Sequence, residues 1–235
     1  MKNKKHRMPF LYWLGKSLAK VYFTVFHRLE ILYPENLPES GGCMIAANHV
    51  SHLDPPVLGT ATPRVLSFVA KQELWESGFL KWYFNQIGII PIKRGGGGAE
   101  MLNVAAKAVN DGRAVVFFPE GTRSKTGYPG KVRTGVIVLA AMTGAPIVPV
   151  RISGTYDCMP PKTKFIRPGK IQIAFGEPIS WAEGELDSGN RDQMVSEAAK
   201  LMDAILSLPG WHPKKAKMPD RSSNDKTNEI GTVKE

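Results

Sequence analysis

The chain has 235 residues and a mass of 25.9 kDa, with 43% hydrophobic, 22% charged and 9% aromatic residues. That is the size of one large α/β domain or two small ones, and it excludes collagen-like, disulfide-scaffold and wholly disordered classes. A formal net charge of +10 calls for something anionic, whether nucleic acid, a membrane surface or a phosphorylated substrate.

The charge is unevenly placed. Residues 1–30 hold seven Lys/Arg against one acid and residues 211–235 hold six against four, so the basic excess is a property of the N-terminal segment. A domain-wide nucleic-acid face is thereby disfavoured, and no nucleic-acid partner is expected. The opening MKNKKHRMPFLYWLGK imitates a signal peptide, but Lys16 and Lys20 interrupt it and no small-residue cleavage site follows, so it reads as retained. Residues 8–33 are rich in aromatic and apolar side chains with Lys16, Lys20 and Arg28 among them. This predicts one or two amphipathic helices at a bilayer interface, rings at the headgroup boundary and amines toward lipid phosphates. Packing of the same apolar face on a core is the alternative.

Short apolar runs at 43–47, 65–70, 88–92, 114–119, 146–152 and 170–175 read as buried strands. Helical patterns over 74–86, 99–110 and 132–142 separate several of them, and a last helix near 191–208 ends at Pro209. Strand alternating with helix predicts an α/β fold with a mostly parallel central sheet flanked by helices. The longest uncharged stretch, 134–150, is 17 residues and contains Gly144, Pro146 and Pro149, whereas a membrane span needs about 20 apolar residues. The expected organisation is an interfacial helical segment over 1–33, a main domain over 34–210 and a disordered basic tail over 211–235. Cys43 and Cys158 form neither a disulfide framework nor a metal-ligand spacing, which points to a reducing compartment.

Two constellations can carry chemistry. The first predicted strand runs into Asn48, His49, Val50, Ser51, His52, Leu53 and Asp54, then Pro55 and Pro56. Asp followed by Pro marks a helix start, with Asp54 at or near its N-cap and Pro55 first in the helix. His49 then lies on the loop leaving the carboxyl end of a parallel strand, where open α/β sheets place ligands. A loop entering a helix lets the Asp54 carboxylate reach the imidazole, fix its tautomer and leave the other ring nitrogen as a base. The same spacing also suits a plain helix cap beside a loop histidine. The second constellation, Phe117, Phe118, Pro119, Glu120, Gly121, Thr122, Arg123 and Ser124, again follows a predicted strand. A planar guanidinium, a hydroxyl and glycine backbone suit phosphate recognition, and a polar turn with an internal Glu–Arg pair is the alternative. Lys93 and Arg94 follow another strand end, ahead of Gly95 to Gly98. No GxSxG, HExxH, GxxxxGK[ST] or GxGxxG occurs, which weakens serine hydrolase, zinc protease, P-loop and dinucleotide readings.

In order and spacing, NHVSHLD, AKQELW, IPIKR, FFPEGTRS and APIVPV resemble the glycerolipid acyltransferase family, in particular bacterial 1-acylglycerol-3-phosphate acyltransferases, over roughly residues 30 to 180. The resemblance implies transfer of an acyl group from acyl-CoA or acyl carrier protein to the free hydroxyl of a lysophosphatidic acid, with no cofactor and no metal. His49 matches the family's general base and Asp54 its orienting acid. Asn48 and Ser51 in the first motif, Arg94 in IPIKR, and Glu120, Gly121, Thr122 and Arg123 in PEGTRS match substrate-binding positions. Lys71 matches a recurrent basic position. Arg133 stands where many relatives carry Lys, and the four glycines after Arg94 depart from the family pattern. The implied partners are the two substrates and an anionic membrane surface. The implied location is the cytoplasmic face of a bacterial inner membrane, peripheral or monotopic. Acyl transfer to another lysophospholipid or lipid hydroxyl, and a non-catalytic lipid-binding module, are the competing readings.

Overall fold

A computed structural model of the protein describes residues 10–71, 90–92, 97–161, 163 and 165–213. Among them, the strands β1 (Glu30–Leu32), β2 (Cys43–Ala47), β3 (Leu66–Lys71), β4 (Ile90–Ile92), β5 (Ala114–Phe117), β6 (Ile147–Ser153) and β7 (Gln172–Phe175) form a single sheet. Its order is β1-β7-β6-β2-β5-β3-β4. The run from β6 to β4 is parallel throughout, whereas β7 joins β6 antiparallel and β1 lies parallel to β7.

The helices are α1 (Phe10–His27), α2 (Asp54–Thr60), α3 (Gly97–Asn110), α4 (Gly135–Thr143), the one-turn α5 (Thr155–Cys158) and α6 (Arg191–Ser207). They cover both faces of the sheet, which is why β2 and β5 are apolar at every position instead of alternating. Along β2, Cys43, Ile45 and Ala47 enter the layer containing Phe23 of α1 and Val57 and Leu58 of α2. Met44 and Ala46 enter the opposite layer with Ile137, Leu139, Leu201 and Ile205 from α4 and α6. All seven residues of β6 are buried as well. These two strands therefore form a rigid centre, and whatever follows their carboxyl ends is held from below.

The predicted mostly parallel α/β architecture is what the chain adopts, with strand ends displaced by up to two residues. β1 was not expected, since its three half-buried residues are too few to show a period. Through β1 in the sheet and Phe23 in the core, the described part of segment 1–33 packs with the rest of the chain. The helix expected over 74–86 and the tail from 214 onward lie outside the described residues.

One expectation for α1 is corrected. The Lys16 amine does not point outward. It donates to the carbonyl oxygens of Thr62 and Arg64, in the turn after α2, and lies 5.8 and 5.6 Å from the ring centroids of Tyr12 and Trp13. Burial, assisted by Lys20, lowers its pKa to about 8. Carbonyls beyond a helix end have no intrahelical donor, and the ammonium supplies one. Phe23 and His27 are buried on this side, while Phe10, Leu14, Leu18, Val21 and Val25, spaced three or four apart, remain exposed on the other. No described helix is long and apolar enough to cross a membrane.

Gly154 ends β6 and sets the direction of the chain toward the site. Its φ of 86° lies in the left-handed region, and a Cβ there would stand 1.9 Å from the Lys170 carbonyl oxygen. Gly154→Ala should therefore lower the unfolding free energy by about 3 kcal/mol or more, combining backbone strain with overlap. Urea denaturation followed by circular dichroism checks this.

Candidate active site

Three strand ends converge on the same rim of the sheet. The loop after β2 carries His49, the loop after β5 carries Phe118 to Ser124, and the residues after β6 carry Gly154 and Thr155. Because β5, β2 and β6 are adjacent and parallel, segments far apart in sequence are forced together there.

Asp54 is at the centre. It is fully buried, and α2 begins at Asp54 itself, with Leu53 at the N-cap position and Pro55 second, one residue from the expected placement. The side chain turns back on its own loop. Oδ2 accepts hydrogen bonds from Val50 N at 2.7 Å and Ser51 N at 2.8 Å and faces His49 Nδ1 at 2.7 Å. Oδ1 accepts from Thr155 Oγ1 at 2.6 Å. A buried carboxylate is costly unless its oxygens are satisfied, and four donors satisfy this one. The contact requires a proton on His49 Nδ1, so in the neutral ring Nε2 carries the lone pair. Among the described residues Nε2 has no hydrogen-bond partner. The ring also stacks on Phe118, centroids 3.9 Å apart and planes inclined by 18°. Plane and tautomer are thus both fixed.

The backbone of the same histidine is held by the second constellation. Glu120 accepts from His49 N at 2.8 Å through Oε1 and from Gly130 N at 2.9 Å through Oε2. Ser124 N donates to the His49 carbonyl at 2.8 Å. Burial raises the Glu120 pKa, opposed by the two backbone donors. Asn48 makes a two-way bridge to Ile152, donating from Nδ2 to its carbonyl at 2.9 Å and accepting from its N–H at 2.7 Å. Ser51 Oγ donates to the Met159 carbonyl at 2.8 Å. The polar groups of Asn48, Ser51 and Glu120 are therefore engaged within the protein, tying the loops of β2, β5 and β6 to one another.

Arg123 and Thr122 differ from them. They line a cavity of about 480 Å³, bordered by Glu120, that also receives Lys125, Lys131 and Arg133. Among the described residues the Arg123 guanidinium has no carboxylate partner. Its positive charge lies close enough to His52 to lower that ring's pKa, second to burial. Gly121 adopts φ 69°, and a Cβ there would come within 2.6 Å of Arg133 Nε, so the Arg133 stem fills the space that a side chain would need. Lys71 is the last residue of β3, at the same rim. Arg94 lies outside the described residues, as do the first two of the four glycines; the last two open α3.

Sequence reasoning missed Thr155, and it placed Phe118 in the second constellation without connecting it to His49. Phe118 directly follows β5, and the connection could have been found from the rule that strand-end residues share a rim. Thr155 carries no motif, and only the adjacency of β6 and β2 identifies it. Thr155→Val keeps the shape and leaves Asp54 Oδ1 without its donor. It should cost about 1–3 kcal/mol of stability, measured by urea unfolding.

The comparisons with known proteins agree with this geometry. A family profile described as Acyltransferase matches residues 28–153. The chain is 29% identical over 202 residues to the chloroplastic 1-acyl-sn-glycerol-3-phosphate acyltransferase BAT2 of Brassica napus, covering 84% of this chain and 58% of that protein. It is 28% identical over 190 residues to the 1-acyl-sn-glycerol-3-phosphate acyltransferase of Bacillus subtilis, covering 80% of this chain and 92% of that one. The crystal structure of the 1-acyl-sn-glycerophosphate (LPA) acyltransferase PlsC from Thermotoga maritima superimposes with a TM-score of 0.64 and 26% identity, covering 80% of this chain and 78% of the other. The chain spans less than three-fifths of the plant relative's length. With the profile spanning more than half of its residues, including both motif loops, the chain belongs to the acyltransferase family.

Proposed function

We propose that the protein transfers a fatty acyl group from an acyl thioester, acyl-CoA or acyl carrier protein, to the free hydroxyl of 1-acyl-sn-glycerol-3-phosphate, forming phosphatidate for phospholipid synthesis. The observation that carries this reading is the imidazole of His49, held by Asp54 at 2.7 Å with Nε2 unpartnered among the described residues, on the rim that also bears Arg123 and its cationic cavity.

In the proposed reaction Nε2 takes the proton of the acceptor hydroxyl as its oxygen attacks the thioester carbonyl, and Asp54 stabilises the imidazolium so formed. Collapse of the tetrahedral intermediate breaks the carbon–sulfur bond. The departing thiolate takes the proton from the imidazolium, which leaves an ester and a free thiol with the histidine neutral again. Arg123, joined by Arg94, holds the acceptor phosphate, and Thr122 and the Gly121 backbone border it. A bidentate guanidinium suits that anion. Lys71, at the end of β3, stands at the family's recurrent basic position. Asn48, Ser51 and Glu120 serve by fixing the loops, since their polar groups are already engaged.

The exposed row on α1 supports placement on an anionic bilayer, peripheral or monotopic, and on this reading at the cytoplasmic face of a bacterial inner membrane. A helix with one face in the core and large apolar groups along the other has somewhere to be besides water. Lysophospholipid acceptors and a two-tailed product fit such a position.

His49→Ala should reduce turnover by about 10²–10⁴-fold with an unchanged circular dichroism spectrum, and near-normal turnover would remove it from the base role. Arg123→Ala should raise the acceptor KM by about 10-fold or more with little change in the donor KM, as loss of a charge-assisted pair predicts. Equal rates on an acceptor without phosphate would undo that assignment. Leu18→Asp combined with Val25→Asp should weaken cosedimentation with anionic vesicles at unchanged thermal stability, because both side chains are exposed.

A further inference from the structure

The loop from α5 to β7, residues 159–171, reads MPPKTKFIRPGKI, four basic residues and no acid. Within it Phe165 is 83% exposed and Ile166 follows at 41%. Aromatic rings gain by leaving water, and Phe165 with Ile166 makes an apolar tip that gains by being covered. The described residues of the loop are held in place. Arg167 N donates to the Cys158 carbonyl at 2.8 Å, Thr163 Oγ1 donates to the Pro160 carbonyl at 2.8 Å, and Pro160, Pro161 and Pro168 restrict the backbone.

Its placement is the second observation. It starts against the candidate active site, where Ser51 Oγ donates to Met159 O, and it ends on the junction between α1 and β1. There Ile171 N donates to His27 O at 2.9 Å and Glu30 N donates to Ile171 O at 3.0 Å. Lys170 pairs with Glu30 at 2.8 Å across the same junction. The register Ser153–Gln172–Glu30 sets the end of this loop and the end of α1 on the rim that carries His49.

We infer that this loop is a second membrane-contact element, placing Phe165 and Ile166 among the acyl chains of an anionic bilayer while Arg167 beside them meets lipid phosphates. Positive charge around an apolar tip selects an anionic, apolar-cored partner, and a bilayer is such a partner. The choice of a bilayer over an acidic protein rests on the lipid-acceptor reading given above. With α1 and this loop both engaged, the His49 rim faces the lipid from two anchor points, and a lysolipid reaches it without crossing bulk water.

The test uses the full chain carrying Phe165→Cys, labelled with an environment-sensitive fluorophore. The native Cys43 and Cys158 are buried, and burial, aided by Asp157, pushes the Cys158 thiol up to about 11, so both stay unlabelled. Vesicles of phosphatidylglycerol should raise the emission about threefold or more with a blue shift, and vesicles of phosphatidylcholine far less. Phe165→Ser combined with Ile166→Ser should lower acyl transfer to vesicle-borne acceptor while leaving transfer to a micelle-free short-chain acceptor unchanged. A label unmoved by phosphatidylglycerol while the protein itself cosediments overturns the proposal. So does an emission rise on adding acyl carrier protein, or on raising protein concentration, without lipid. A lipid-dependent rise in a protein that acylates none of the lysolipid acceptors would sink the catalytic reading and leave the loop assignment standing.

Discussion

The buried carboxylate of Asp54 is the constraint on which the site depends. It accepts from two amides of its own loop, from a hydroxyl at the start of the helical turn that follows β6, and from the His49 ring. A negative charge fully out of water is tolerated only when its oxygens are supplied with donors, and here that requirement dictates the path of the backbone between His49 and Asp54. The catalytic reading and the fold thus share one group. The side chain that would stabilise an imidazolium is the one that shapes the loop presenting the imidazole.

Glu120 extends the same logic to the neighbouring strand. Each of its two oxygens takes a backbone N–H, one from His49 and one from Gly130, so the PEGTRS loop is fastened to the histidine backbone and to its own far end. Arg123, three residues on, is left aimed at the cavity. Within one short motif, the glutamate is used for positioning and the arginine remains available to an anion, and their different burial separates the two roles. Arg133 filling the space beside Gly121 completes the cationic lining and explains why a glycine stands there.

The two faces of α1 illustrate how composition alone misleads. Large apolar residues surround most of this helix, and the alternatives of core packing and interfacial exposure looked exclusive. The structure separates them by face, with Phe23 and His27 inward and the row from Phe10 to Val25 outward. Lys16, which the pattern suggested would reach for lipid phosphates, instead satisfies two carbonyls beyond α2. Short-range helical geometry specifies which residues share a face. It does not specify what that face meets.

Much of the framework was legible in the sequence, because strands buried on both faces read as largely apolar runs and the intervening helices carry recognisable stops at Gly112, Gly144 and Pro209. The joining of His49 to Asp54 was legible too, as a pair five positions apart on a loop running into a helix start. What the sequence could not yield was everything set by strand order: Thr155 reaching Asp54 across 101 positions, Asn48 bridging to Ile152 across 104, and Glu120 reaching back to His49 across 71. Spacing along a chain carries local geometry, whereas lateral neighbours in a parallel sheet are chosen by the packing of whole layers, and only the folded arrangement of β5, β2 and β6 decides which loops meet.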